Sequence, residues 1–80
     1  VAGSHTELVE HLVKSVVMEP EAVRVEAQDD RDGVTYFVTV APNDVGKVIG
    51  KSGRVISAIR YVVSAAAAKV RERAFVKVST

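Results

Sequence analysis

Gly50 and Gly53 bracket Lys51 and Ser52, with Arg54 immediately after. Two glycines at this spacing let a backbone turn sharply and lie against another backbone with no Cβ in the way. Val48 and Ile49 before the loop, and Val55 and Ile56 after it, are aliphatic with helical spacing. A helix that starts just after such a loop offers unpaired N–H groups and the positive end of its dipole to an anion. Lys51 and Arg54 set full positive charges beside it. The ligand that fits this arrangement best is a phosphodiester backbone.

Gly50-Lys51-Ser52 also matches the end of the phosphate-binding pattern G-x-x-x-x-G-K-[ST]. That pattern needs a glycine at position 45, which is Val45; the nearest is Gly46. Residues 43–49 read as a short helix, where the pattern needs a buried strand. Eighty residues are also too few for the parallel sheet of a nucleotide triphosphatase. Other chemistry fails on its partners. Ser52 has no nearby histidine to activate it as a nucleophile. His5 and His11 are isolated, whereas a metal site needs three or four convergent ligands, so both read as surface histidines. There is no cysteine, hence no disulfide framework and no thiolate metal site. Asp29–Asp32 reads as a turn, not an acid–base pair. The chain reads as a non-enzyme with no cofactor.

The elements that position the loop follow from periodicity. Thr6 to Met18 is an amphipathic helix, with Leu8, Leu12 and Val16, or Val9, Val13, Val16 and Val17, at helical spacing. Thr6 is its N-cap, and Pro20 ends it. Val23, Val25 and Ala27 alternate with polar residues as a half-buried strand does. Asp29 to Gly33 is a polar turn, so Val34 to Val40 returns antiparallel. Tyr36, Val38 and Val40 share one face of that strand, and Thr35, Phe37 and Thr39 the other. Pro42 stops the sheet. Asn43 caps a short helix, Asp44 to Ile49, which Gly50 terminates. A long helix then runs to about Val70, with Ile56, Ile59, Val63, Ala66 and Val70 as its apolar stripe. A last strand covers Phe75 to Val78, with Ala74, Val76 and Val78 facing one way. The order is helix-strand-strand-helix-helix-strand. The two strands joined by the helical pair lie parallel. Three helices cover one face of a three-stranded sheet, an α+β sandwich.

Val48-Ile49-Gly50-Lys51-Ser52-Gly53-Arg54-Val55-Ile56 resembles the signature of the K-homology (KH) domain, a single-stranded nucleic-acid-binding module. In that family the loop clamps four backbone nucleotides. The element order resembles the type II, or prokaryotic, arrangement. The chain as a whole is similar to the small bacterial one-domain KH proteins of the KhpA type. That resemblance implies a cytoplasmic RNA binder, a post-transcriptional regulator or RNA chaperone, able to form a homodimer or to pair with a second KH-domain protein. It also implies that bases rest on an aliphatic floor near Val45, Ile49 and Val55 or Ile56, with a face of the Val34–Val40 strand as the far wall.

The remaining residues agree. Val1 to His5 reads as the remnant of a cleaved tag, leaving residues 6–80 as a single KH domain. With 48% hydrophobic residues the chain can fill one modest core. No apolar run reaches membrane-spanning length. Residues 1–32 carry three basic and eight acidic side chains, a net −5. Residues 33–80 carry eight basic and two acidic, a net +6. This asymmetry places a basic face around the loop. The RNA-binding set is therefore Lys47, Ile49, Gly50, Lys51, Ser52, Gly53, Arg54 and Arg60. Tyr36, Phe37, Tyr61 and Phe75 are the only aromatic residues. None adjoins the loop, so no stacking platform is visible. Affinity should be modest, about micromolar or weaker. Val62, Ala65, Ala66 and Lys69 lie partly off the core stripe of the last helix. They carry two readings: a surface that docks a second KH chain, or small residues that accommodate the sheet. The alternative function is accordingly a protein-interaction module of KH fold with little nucleic-acid affinity.

Overall fold

Alternating residues build the sheet in the computed structural model, which describes residues 4–79. Strands β1 (Arg24–Asp30) and β2 (Gly33–Thr39) pair antiparallel. Strand β3 (Ala74–Val78) runs parallel to β2 along its other edge, so the order is β1-β2-β3. Val34, Tyr36, Val38 and Val76 are buried beneath the helices, while Phe37, Thr39, Phe75 and Lys77 lie exposed on the opposite face. The acidic run is mostly strand, not turn. Only Arg31 and Asp32 form the connection, because Asp30 Oδ1 accepts the N–H groups of Asp32 at 2.8 Å and Gly33 at 3.1 Å. Gly33 has φ +143°, and an added Cβ would stand 2.3 Å from the Arg73 carbonyl oxygen. Glycine there lets β3 begin flush against β2.

Three helices complete the second layer: α1 (Thr6–Lys14), α2 (Val45–Ile49) and α3 (Arg54–Ala68). Val9 and Val13 of α1 and Val17 beyond it point into the core, with Leu8, Leu12 and Val16 half-buried beside them. The helix stops four residues short of the expected Met18. The Ser15 hydroxyl donates to the His11 carbonyl at 2.7 Å, and Val16 N–H tightens onto Val13 at 3.1 Å. Further along, the Asp44 carboxylate accepts the Met18 N–H at 3.1 Å and the Glu19 N–H at 3.0 Å. Asp44 is 1% exposed. Hydrogen bonds to a charged group in such a setting are among the stronger ones. They draw the chain out of helix before Pro20, which opens a separate 3₁₀ turn, Pro20–Ala22.

Two caps also differ from expectation. His5, not Thr6, holds the N-cap position of α1, and its backbone N–H donates to Tyr36 Oη at 3.0 Å. Tyr36 is fully buried, and its hydroxyl accepts that bond within the fold. The His5 ring lies 3.6 Å from Glu72 Oε1 and is only 15% exposed, so His5 is not a simple surface histidine. Ser4 also hydrogen-bonds Glu72 at 3.2 Å. Residues 1–3 of the segment read as a tag remnant lie outside the described residues, as does residue 80. Asn43 is exposed and sits inside the 3₁₀ turn Pro42–Asp44; Asp44 precedes α2 but spends its carboxylate on residues 18 and 19.

The α3 stripe holds at Ile56, Ile59 and Val63, and Ala67 takes the fourth place. At about 100° per residue, Ala67 returns to within about 20° of Ile56, while Ala66 stands about 80° away and is half-buried. Val70 is 60% exposed, because the helix ends at Ala68 and the chain turns away through Arg71 at φ +59°.

Candidate nucleic-acid interface

The loop takes its shape from three left-handed backbone positions. Gly50 ends α2 with φ +76° and ψ 172°, and its N–H donates to the Gly46 carbonyl at 2.8 Å. That conformation is close to glycine-only. An added Cβ would also lie 2.4 Å from Val55 Cγ2 and 2.8 Å from the Val55 nitrogen. Ser52 (φ 56°, ψ 27°) and Gly53 (φ 73°, ψ 16°) follow in left-handed geometry, and Gly53 N–H closes onto the Gly50 carbonyl at 3.1 Å. Nothing lies within 4 Å of a Cβ placed on Gly53. The loop is thus packed against α3 at Gly50 and open to an incoming backbone at Gly53. The left-handed Ser52 has no sequence signal of its own.

Charge reinforces this geometry. Among the described residues no side chain caps α3, and no acidic residue lies in its first turn. The Arg54 N–H donates to the Lys51 carbonyl, and beyond it the positive dipole end is left without a side-chain partner. Lys51, Ser52 and Arg54 are exposed around it, and Lys47 is exposed on α2. Ile49 is half-buried at the end of α2 and packs on the core. Val45 and Val55 do the same, whereas Ile56 is a buried core residue and leaves the expected floor.

Arg60 stands apart from the loop. Its Nε donates to the Val76 carbonyl at 3.0 Å, on the free edge of β3. Arg60 and Ser64 of α3 face residues 74–77 of β3 across an open groove of about 300 Å³. This corrects the expected far wall. β2 is the central strand with both edges paired, so the open edge beside α3 belongs to β3. Phe75 and Lys77 thereby enter the groove wall. Alternation put them on the outward side of a strand, but only the strand order made that strand an edge.

The proposed docking residues also lie outward. Val62, Ala65 and Lys69 are exposed, and Ala66 is half-buried. Val62 joins Leu12, Val16, Val55 and Ala58 around a second, mostly aliphatic groove of about 350 Å³ between α1 and α3. Among the described residues no three potential ligands gather as a metal site, and no helix is long and apolar enough to cross a membrane.

The family model for the KH domain of KhpA and KhpB matches residues 6–78. The chain belongs to this KH family. RNA-binding protein KhpA of Halalkalibacterium halodurans is 47% identical over 66 residues, which cover 82% of this chain and 87% of that protein. The protein of the same name from Caldanaerobacter subterraneus is 43% identical over 72 residues, covering 90% and 96%. That from Streptomyces coelicolor is 48% identical over 59 residues, covering 74% and 75%. Family membership agrees with the α+β fold: three helices against a mixed three-stranded sheet, with the Gly-x-x-Gly loop between the two helices of the parallel crossover.

Proposed function

We propose that this KH protein binds short single-stranded RNA through the Gly50–Gly53 loop and the groove between α3 and β3. One observation carries the reading: the uncapped start of α3 lies under a loop that is open at Gly53 and flanked by exposed Lys51 and Arg54. In this reading the loop backbone and Ser52 hold phosphates, and Lys51 and Arg54 neutralise them. Lys47 and Arg60 act from further out, and Ile49 offers an aliphatic surface to a base. The relatives' name, RNA-binding protein KhpA, supports RNA as the nucleic acid. The role is that of a binding module in the cytoplasm, a post-transcriptional regulator or RNA chaperone. The test is a salt titration of a fluorescein-labelled single-stranded RNA, read by anisotropy. Single strands lose about 0.7 in log–log slope per neutralised phosphate, so three or four contacts give a slope of about −2 to −3. A flat response would remove the electrostatic clamp.

A second reading is favoured by the groove between α1 and α3. Its mostly aliphatic lining, with Val62 42% exposed, suits a second KH chain, either a copy of this one or a different KH protein. Replacing Val62 with Asp is expected to convert any such dimer to monomer in sedimentation equilibrium. A dimer that survives uses another surface.

A further inference from the structure

The open face of the sheet carries two phenylalanines that the sequence separates by 38 positions. Phe37 on β2 and Phe75 on β3 are 37% and 38% exposed. Thr35 pairs with Phe75, and Phe37 pairs with Lys77, so the two rings are diagonal neighbours on one face. With parallel strands about 4.8 Å apart and a rise of about 3.3 Å per residue, such positions lie about 8 Å apart, far enough for each ring to take its own base. Phe37 borders a shallow depression of about 220 Å³ shared with Arg24, Glu26 and Thr39. Arg73 lies over the Phe75 ring at 5.7 Å, and a guanidinium plane is itself a surface on which bases stack. The charges here are Arg24, Arg73 and Lys77 against Glu26 and Asp30, a slightly cationic balance on a face that no helix among the described residues covers.

This face is continuous with the candidate groove, because Phe75 and Lys77 line both. We infer that single-stranded RNA leaving the groove crosses the edge of β3 and continues over the open face of the sheet, stacking bases on Phe75 and Phe37 while Lys77, Arg73 and Arg24 meet its phosphates. The inference rests on the RNA-binding reading and extends it. It makes the footprint longer than four nucleotides and gives the protein an aromatic platform. Stacking on aromatic rings is tolerant of sequence, because every base has a π-face. The extension would therefore add affinity for longer strands without adding a sequence motif.

Phe37 provides the test, since it lies outside the groove. Labelled RNA of four and of ten nucleotides is titrated by anisotropy at low salt with wild type, Phe37→Leu, Phe37→Tyr and the Lys51→Asp, Ser52→Asp double variant. A longer strand offers more registers, so proteins are compared on the same RNA. Phe37→Leu should match wild type on the tetramer and bind the decamer roughly tenfold more weakly, and Phe37→Tyr should match wild type on both. Equal decamer affinity for wild type and Phe37→Leu overturns the inference. So does an equal loss on both RNAs, or a change in oligomeric state at unchanged RNA affinity, which would make the face a protein contact. Should Phe37→Leu fail to fold, amide shifts of the wild-type protein decide. Shifts at Phe37, Thr39 and Lys77 with decamer but not tetramer support the inference, and shifts confined to the loop and α3 overturn it. The loop reading fails separately, if the double loop variant holds the tetramer as tightly as wild type.

Discussion

Replacing Lys51 and Ser52 together with Asp leaves the fold intact and weakens binding to single-stranded RNA by about two orders of magnitude or more. The change moves three units of charge at the point where phosphates would sit. Each unit contributes about 1 kcal/mol at contact distance in water and more at a partly screened surface. The fold should not suffer. Both side chains are exposed. Position 52 has φ 56° and ψ 27°, a left-handed conformation that Asp tolerates better than most residues. Acidic side chains before α3 also suit the positive end of its dipole. Anisotropy with a labelled RNA measures the loss, and a thermal melt by circular dichroism checks the fold. Unchanged affinity in a folded variant would take the loop out of the mechanism.

Gly50→Ala is expected to be the most damaging single change in the loop, lowering stability by about 2–6 kcal/mol. Two terms combine. A residue with a Cβ is strained at φ +76° and ψ 172°, at a cost of about 1–3 kcal/mol. The new methyl must also displace Val55, whose Cγ2 and backbone nitrogen lie 2.4 Å and 2.8 Å from its position; overpacking of that kind costs about 1–3 kcal/mol. Gly53→Ala is the control. Its φ is also positive, but at ψ 16° it sits in the milder left-handed helical well and meets nothing within 4 Å, so it should cost only about 1–2 kcal/mol. Urea unfolding of the two variants gives the comparison. Equal losses would mean that neither the packing of Gly50 on Val55 nor its more restricted backbone contributes. A large loss at Gly50 alone would establish that the two glycines serve different ends, one holding α2 against α3 and the other leaving room outside.

Much of this could be read from the chain because it depends on neighbours in sequence. The alternation of Val34, Tyr36 and Val38 is a property of five consecutive residues, and the stripe of Ile56, Ile59 and Val63 is one of eight. The Gly50 stop of α2 and the loop with its two cations are likewise local. So is the order of elements that makes the crossover parallel. These features rest on side-chain period and backbone sterics within a few residues, and they were enough to place the chain with KH domains.

Other features required residues far apart to meet. The early end of α1 depends on Asp44, which reaches back to the N–H groups of Met18 and Glu19. His5 holds the N-cap position of α1, and its N–H is bonded to the hydroxyl of a buried tyrosine on β2. Above all, the sequence determined that this protein has a cationic Gly-x-x-Gly loop at the start of a helix, since turn chemistry and charge are written locally. It took the assembled fold to set Arg60 and Ser64 of α3 against β3 and to bring Phe37 and Phe75 onto one open face. Both follow from which strand pairs with which, and strand pairing is set by burial across the whole fold rather than by any one segment.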